Sequence, residues 1–295
     1  MTMTTIRTTS RATNTPRLIT YAAVLALLFL SAIYFGSSPK GTTFEAQRQQ
    51  ANDEVAHVSV HSMMAAHKEG ISNNEAQHDP MKITLSSISY LSTSLEYYHC
   101  GPPPDSSTTE LVLLHGAAFT KEDWKTSGIL EKFCDLNNDE EGGDLIITAL
   151  DLPVSATGKE LEAVFDALVK QGVLSGRSVV VVTPSASGKA VVTLTEMAMN
   201  NSEGVLRKIL KGWIPVAPPA VLQASDDVFA LFTKLSIPIL AIYGDQDSMG
   251  KKVTDKLVRL ANAKGVELEG RHPVYLDSPD EFVQEILQFL EEKQL

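Results

Sequence analysis

Apolar residues fall along this chain in short solid blocks, separated by stretches in which they return every three or four positions. Val179-Val180-Val181-Val182 is the clearest block, the unbroken apolar run of a strand buried on both faces. Glu110 to Leu114, Leu145 to Leu150 and Ile237 to Tyr243 repeat the pattern. Between the blocks, Leu161, Val164 and Leu168 follow a capping box at Thr157-Gly158-Lys159-Glu160. Phe282, Ile286 and Phe289 follow a second at Ser278-Pro279-Asp280-Glu281. Both read as amphipathic helices with one buried stripe. Thr120 to Asp123 starts another helix, expected to reach Phe133. Lys82–Leu85 and Ser94–Tyr98 look like edge strands, and residues 101–107 (GPPPDSS) turn the chain. Strands alternating with helices over short links predict an α/β class: a mostly parallel, twisted sheet with helices on both faces. No internal repeat is visible. Only about twenty residues, with one helix near Ala224 to Lys234, separate the strand ending at Val216 from the one starting at Ile237. That connection leaves room for only a minimal lid, so any site at the ends of these strands should be shallow and open.

Charge divides the 295-residue chain unevenly. Residues 1–40 hold Arg7, Arg11, Arg17 and Lys40 and no acid, so the rest carries 36 acids against 21 bases, a net of −15. A body of that sign lacks the basic patch that nucleic acid binding needs. Leu18 to Phe35 contains no charged residue and is long enough to span hydrocarbon, with Tyr21 and Tyr34 near its ends. The division expected is a basic tail (1–17), a signal anchor spanning a membrane (18–36), a flexible stalk (37–80) and a folded domain (81–295). The basic flank would place that domain on the lumenal or external side. A cleaved signal and an organelle transit peptide are the alternatives, the latter because residues 1–17 are rich in Thr, Ser and Arg. Asn200-Asn201-Ser202 is a sequon that matters only on the lumenal side.

The chemistry concentrates where the strands end. After the valines, Pro184 stops the strand, and Ser185-Ala186-Ser187-Gly188 leads into helix-compatible sequence. A strand breaking sharply into a helix with a serine at the apex is the nucleophile elbow of α/β-hydrolases. Counting from the strand end puts Ser185 rather than Ser187 at the apex. The strand ending at Leu114 runs into His115-Gly116-Ala117-Ala118-Phe119, the loop that in this fold supplies one oxyanion-binding N–H. The donors expected are Ala117 and Ala186. Tyr243-Gly244-Asp245-Gln246-Asp247 ends a third strand in two carboxylates, of which Asp247 sits where the acid belongs. His272 lies in a loop before the last helix. The order Ser185, Asp247, His272 is the one this fold uses. His115 reads as a brace for the oxyanion loop, and Trp124 and Trp213 read as core. Cys100 and Cys134 flank no base, and a disulfide between them is left open. No Cys/His group has metal-ligand spacing, and no cofactor is required. The oligomeric state is not legible.

Together, LLHGxxF (113–119), DLP (151–153), PSxSG (184–188), PVAP (215–218), YGDQDSMG (243–250) and HPVYLD (272–277) resemble the alpha/beta-hydrolase-domain-containing protein 14 family, over about Leu111 to Leu295. The resemblance implies the α/β-hydrolase fold, with Ser185 as nucleophile, Asp247 as acid and His272 as base. It also implies hydrolysis of short acyl esters, and removal of acetyl from protein lysine with coenzyme A as acyl acceptor. One branch of the family is soluble and the other membrane-anchored; the segment 18–36 aligns this chain with the second. The family's DLPGxGxS reads Asp151-Leu152-Pro153-Val154-Ser155-Ala156-Thr157 here, so acceptor binding is expected to differ. A catalytically silent scaffold that binds a protein partner is the competing expectation, since fold does not fix function.

Overall fold

The computed structural model describes residues 82–105, 108–136, 145–200 and 203–295. The tail, anchor and stalk expected at 1–17, 18–36 and 37–80 lie outside these residues. Among the described residues no helix is long and apolar enough to cross a membrane.

Eight strands form one sheet among the described residues: β1 (Thr84–Tyr90), β2 (Thr93–Cys100), β3 (Thr109–Leu113), β4 (Leu145–Leu150), β5 (Val179–Pro184), β6 (Leu210–Val216), β7 (Leu240–Gly244) and β8 (Lys264–Leu268). Their spatial order is β1-β2-β4-β3-β5-β6-β7-β8. β1 and β2 run antiparallel, as does β2 against β4, and every later pair is parallel. The valine block explains why the sheet is covered twice. Val179 and Val181 enter one apolar cluster and Val180 and Val182 the other, because successive side chains of a strand point to opposite faces. All four are at most 1% exposed. Leu111 and Leu113 face the second cluster, Val112 and Leu114 the first.

Helices supply both covers. Leu161, Val164 and Leu168 of α3 (Gly158–Lys170) and Val191 and Leu194 of α4 (Gly188–Asn200) pack on the first face. Trp124 of α1 (Lys121–Thr126), Phe133 of α2 (Ile129–Asp135) and Phe282, Ile286 and Phe289 of α10 (Pro279–Lys293) pack on the second. The remaining helices are α5 (Gly204–Ile209), α6 (Ala220–Gln223), α7 (Asp226–Lys234), α8 (Ser248–Ala261) and α9 (Val274–Asp277). Two short helices, α6 and α7, stand between β6 and β7 where one was expected, α6 being an added turn at Ala220–Gln223; the connection still leaves only a minimal lid.

Three local expectations are corrected or resolved. The helix from Thr120 to Phe133 is two helices, because Gly128 sits at φ 76° and ends the first. Ser278 is the N-cap residue of α10, but its side chain makes no capping bond; the hydroxyl donates instead to the Glu269 carbonyl at 2.6 Å. Cys100, at the end of β2, and Cys134, in α2, are joined as a disulfide with Cα atoms 6.0 Å apart, and both are buried.

Candidate active site

Parallel strands end on one edge of a sheet, so the loops after β3, β4, β5, β7 and β8 share one rim. The elbow after β5 begins with Pro184 extended at φ −72°, ψ 131°, followed by Ser185 at φ 50°. A non-glycine residue in the left-handed region is strained, costing on the order of 1–3 kcal/mol. That strain lifts the serine hydroxyl off the strand. Ser187, the other apex candidate, is 4% exposed and donates its hydroxyl to the Pro184 carbonyl at 2.9 Å. It locks the turn and points away from solvent.

Ser185 Oγ lies 2.8 Å from His272 Nε2, and His272 Nδ1 lies 2.5 Å from Asp247 Oδ2. Three stretches more than 20 residues apart in sequence thus meet in one hydrogen-bonded line. Asp247 is the N-cap of α8; its Oδ1 accepts the N–H groups of Met249 at 3.1 Å and Gly250 at 2.9 Å. Gly250 is demanded by this packing, since a Cβ there would sit 2.6 Å from Asp247 Oδ2. Burial alone would push the Asp247 carboxyl up. Hydrogen bonds from His272, Gly250 and Met249, with the charge of His272, outweigh burial and hold its pKa below the ordinary value.

Asp245, the other carboxylate of the pair, accepts the Gly270 N–H at 2.8 Å and fastens the loop that carries His272. Gly244 lets that loop approach: a Cβ there would meet the Gly270 and Arg271 carbonyls at 2.4 and 2.3 Å. Arg271 pairs with Asp277 through a bond from Nη2 to Oδ1 at 2.5 Å, closing the loop from the other side.

The loop after β3 comes up beside the serine. A Cβ on Gly116 would lie 3.8 Å from that of Ser185. Ala117 is exposed, and its N–H has no acceptor among the described residues. His115 is buried, with Nδ1 3.0 Å from the Gly116 carbonyl oxygen, where it stiffens the loop. Phe119 packs edge-on against Tyr275, and Tyr275 stacks on Trp124 with ring centroids 4.5 Å apart. The aromatic column ties this loop to the residues just after His272. Trp124 and Trp213 are core residues that spend their indole N–H groups on Leu114 O and Thr183 Oγ1.

One group was missed by sequence reasoning. Lys121 is 3% exposed, and its ammonium reaches Asp151 at 2.8 Å, Glu96 at 3.0 Å and Glu122 at 3.2 Å. Desolvation pulls its pKa down, but the three hydrogen bonds prevail and raise it. Asp151 Oδ1 also accepts the Lys121 N–H at 2.7 Å and faces His115 Nε2 at 3.9 Å. One carboxylate therefore ties both ends of the His115–Lys121 loop. The available signal was a lysine at the first position of a helix, where the macrodipole disfavours a cation.

No family model matches the chain. The rat protein named "Putative protein-lysine deacylase ABHD14B" is 33% identical over 195 residues, covering 62% of this chain and 83% of that one. The zebrafish (Danio rerio) protein ABHD14A is 30% identical over 190 residues, covering 61% of this chain and 64% of its own length. Among solved structures, a CIB-like hydrolase from Thermoplasma acidophilum superposes with a TM-score of 0.53 at 19% identity, covering 73% of this chain and all of that one. That likeness bears on fold and the first on kinship. With a mostly parallel sheet, an elbow after β5 and a relative matched over most of its length, the chain belongs to the alpha/beta-hydrolase-domain-containing protein 14 family and has the α/β-hydrolase fold.

Proposed function

We propose that this protein is a serine hydrolase that removes small acyl groups from esters or amides through an acyl-enzyme. The observation that carries the reading is the line from Ser185 Oγ through His272 to Asp247, at 2.8 and 2.5 Å, built on a serine held at φ 50°. Ser185 Oγ bonds to the substrate carbonyl carbon while His272 Nε2 takes its proton. Asp247 holds the imidazole with its Nδ1 proton facing the carboxylate and offsets the positive charge. The Ala117 and Ala186 N–H groups receive the oxyanion, an interaction typically worth about 2.7–4 kcal/mol per donor. His272 then returns the proton to the leaving amine or alcohol as the carbonyl–heteroatom bond breaks. Water, deprotonated by the same imidazole, releases the acid and restores Ser185.

The names of the ABHD14B relatives favour acylated protein lysine as the substrate. The thiol of coenzyme A takes the place of water where the acyl group is transferred rather than hydrolysed. An open rim with a minimal lid supports a protein-borne substrate, because a side chain can reach Ser185 without passing through a tunnel.

A fluorophosphonate probe tests the assignment. Labelling should survive Ser187→Ala and vanish in Ser185→Ala, together with p-nitrophenyl acetate hydrolysis. A wild-type protein that neither labels nor turns over ester is the silent scaffold instead.

A further inference from the structure

A groove of about 430 Å³ begins at Ala186, the residue after the proposed nucleophile, and runs along α4 between that helix, α6 and the loop after β4. Larger space exists between α2 and α10, at about 690 Å³, but none of the site residues lines it. The groove falls in the size range of small-molecule sites and exceeds the needs of a two-carbon acetyl unit several times over. Its walls include Val154, Val192, Pro219, Ala220 and Ala224, a surface that suits methylene groups.

One cation stands in it. Lys189 is the second residue of α4, four positions past Ser185, and lines the groove together with Ala186. It is exposed, and its ammonium donates one long bond, 3.4 Å, to the Ser155 carbonyl. It forms no ion pair with any described residue. The other cations around the site are engaged: Lys121 by Asp151, Glu96 and Glu122, and Arg271 by Asp277. Glu160 senses the charge of Lys189, but its carboxylate is held by the backbone and hydroxyl of Thr157. Glu196, at the far end of the groove, is seven residues further along α4, about 10 Å along the axis. The near end is thus positive, beside an apolar wall, on a protein whose net charge is −11.

We propose that this groove receives an acyl chain ending in an anion, with Lys189 as its counter-ion. A short dicarboxylic acyl group, such as glutaryl on lysine, bridges from Ser185 to the ammonium with its methylenes in the groove and its free carboxylate against Lys189. Hydrolysis would release the dicarboxylate and the free lysine by the steps given above. The proposal rests on Ser185 as nucleophile. The same anion chemistry is offered by the phosphates of a nucleotide-bearing thiol acceptor, and the test separates the two.

Peptides carrying pentanoyl-lysine and glutaryl-lysine have acyl chains of equal length and differ in the terminal charge. In the full-length protein, kcat/KM for glutaryl over pentanoyl should fall about two- to fivefold in Lys189→Met, the range of an exposed ion pair. It should fall further in Lys189→Glu and recover in Lys189→Arg. Calorimetric affinities for the same peptides on Ser185→Ala should show the same ordering without any chemistry. A ratio unchanged from wild type to Lys189→Glu, in turnover and in binding, overturns the proposal while leaving the hydrolase reading intact. Preferential binding on Ser185→Ala with no turnover by the wild type supports the groove and sinks the hydrolase. Competition by adenosine 3′,5′-bisphosphate that Lys189→Glu abolishes, with no glutaryl preference, overturns the acyl assignment and gives Lys189 to a phosphorylated acceptor.

Discussion

Asp245 and Asp247 stand two positions apart and work on different partners. One takes the Gly270 N–H and fastens a loop; the other takes the ring N–H of the imidazole in that loop. Asp247→Asn should therefore lower kcat for p-nitrophenyl acetate by on the order of 10⁴, the cost of a mis-set histidine tautomer. Asp245→Asn, which keeps an acceptor oxygen for Gly270, should cost far less, and equal losses would refute the division of labour. Steady-state kinetics on the two variants decides it. At this scale the sequence was informative wherever backbone geometry dictates position. A proline ending a four-valine strand leaves Ser185 as the apex and buries Ser187. It was silent where the partner is distant. Nothing near Lys121 announces Glu96 or Asp151, 25 and 30 residues away. Nor does anything near Cys100 announce Cys134.

Elements carry these residues to one rim, and their ends matter more than their middles. α8 begins on Asp247 and α4 follows Ser185 by three residues, so two helix N-termini converge on the site. The strand–helix alternation was readable from apolar spacing because each strand is sandwiched and each helix has one buried stripe. Cap identities were less so. Thr157 and Glu160 form the expected box, with the Thr157 N–H on Glu160 Oε2 at 2.7 Å. Ser278 has the same spacing, yet it turns to the Glu269 carbonyl because that loop passes within reach. Local spacing cannot rank two acceptors when one comes from elsewhere in the fold. The Lys121–Asp151 clamp belongs to this scale too, since it joins the start of α1 to the end of β4. Lys121→Met would leave the Asp151 carboxylate without its cation, costing about 1–3 kcal/mol. Expected are a lower urea midpoint and a reduced kcat with KM nearly unchanged, both restored by Lys121→Arg. A KM effect alone would remove the clamp from the support of the loop proposed to offer the Ala117 N–H.

Across the whole molecule, the carboxylates with displaced pKa values set the response to acid. Asp277 is lowered by the hydrogen bonds and charge of Arg271, Glu160 by Thr157, and Asp247 by His272 and the α8 amides against the pull of burial. Each binds its proton less readily folded than unfolded. Their stabilisation is therefore complete above the unfolded carboxylate value of about 4 and is lost as pH falls through the folded values. Thermal melts should show a flat carboxylate contribution above that point and a steep fall below it. Asp277→Asn should fall less steeply. A melting temperature that rises on acidification below pH 4 would contradict the linkage.

The cystine between Cys100 and Cys134 draws a covalent ring around β3, the His115–Phe119 loop and α1. Ser185, Asp247 and His272 all lie outside that ring. A thiol reductant thus acts first on the support of the amide proposed to cradle the oxyanion, and reaches the His272 loop only through the packing of Phe119 and Trp124 on Tyr275. Dependence of turnover on redox poise would then report on the Ala117 loop and on the aromatic column it shares with the segment after His272.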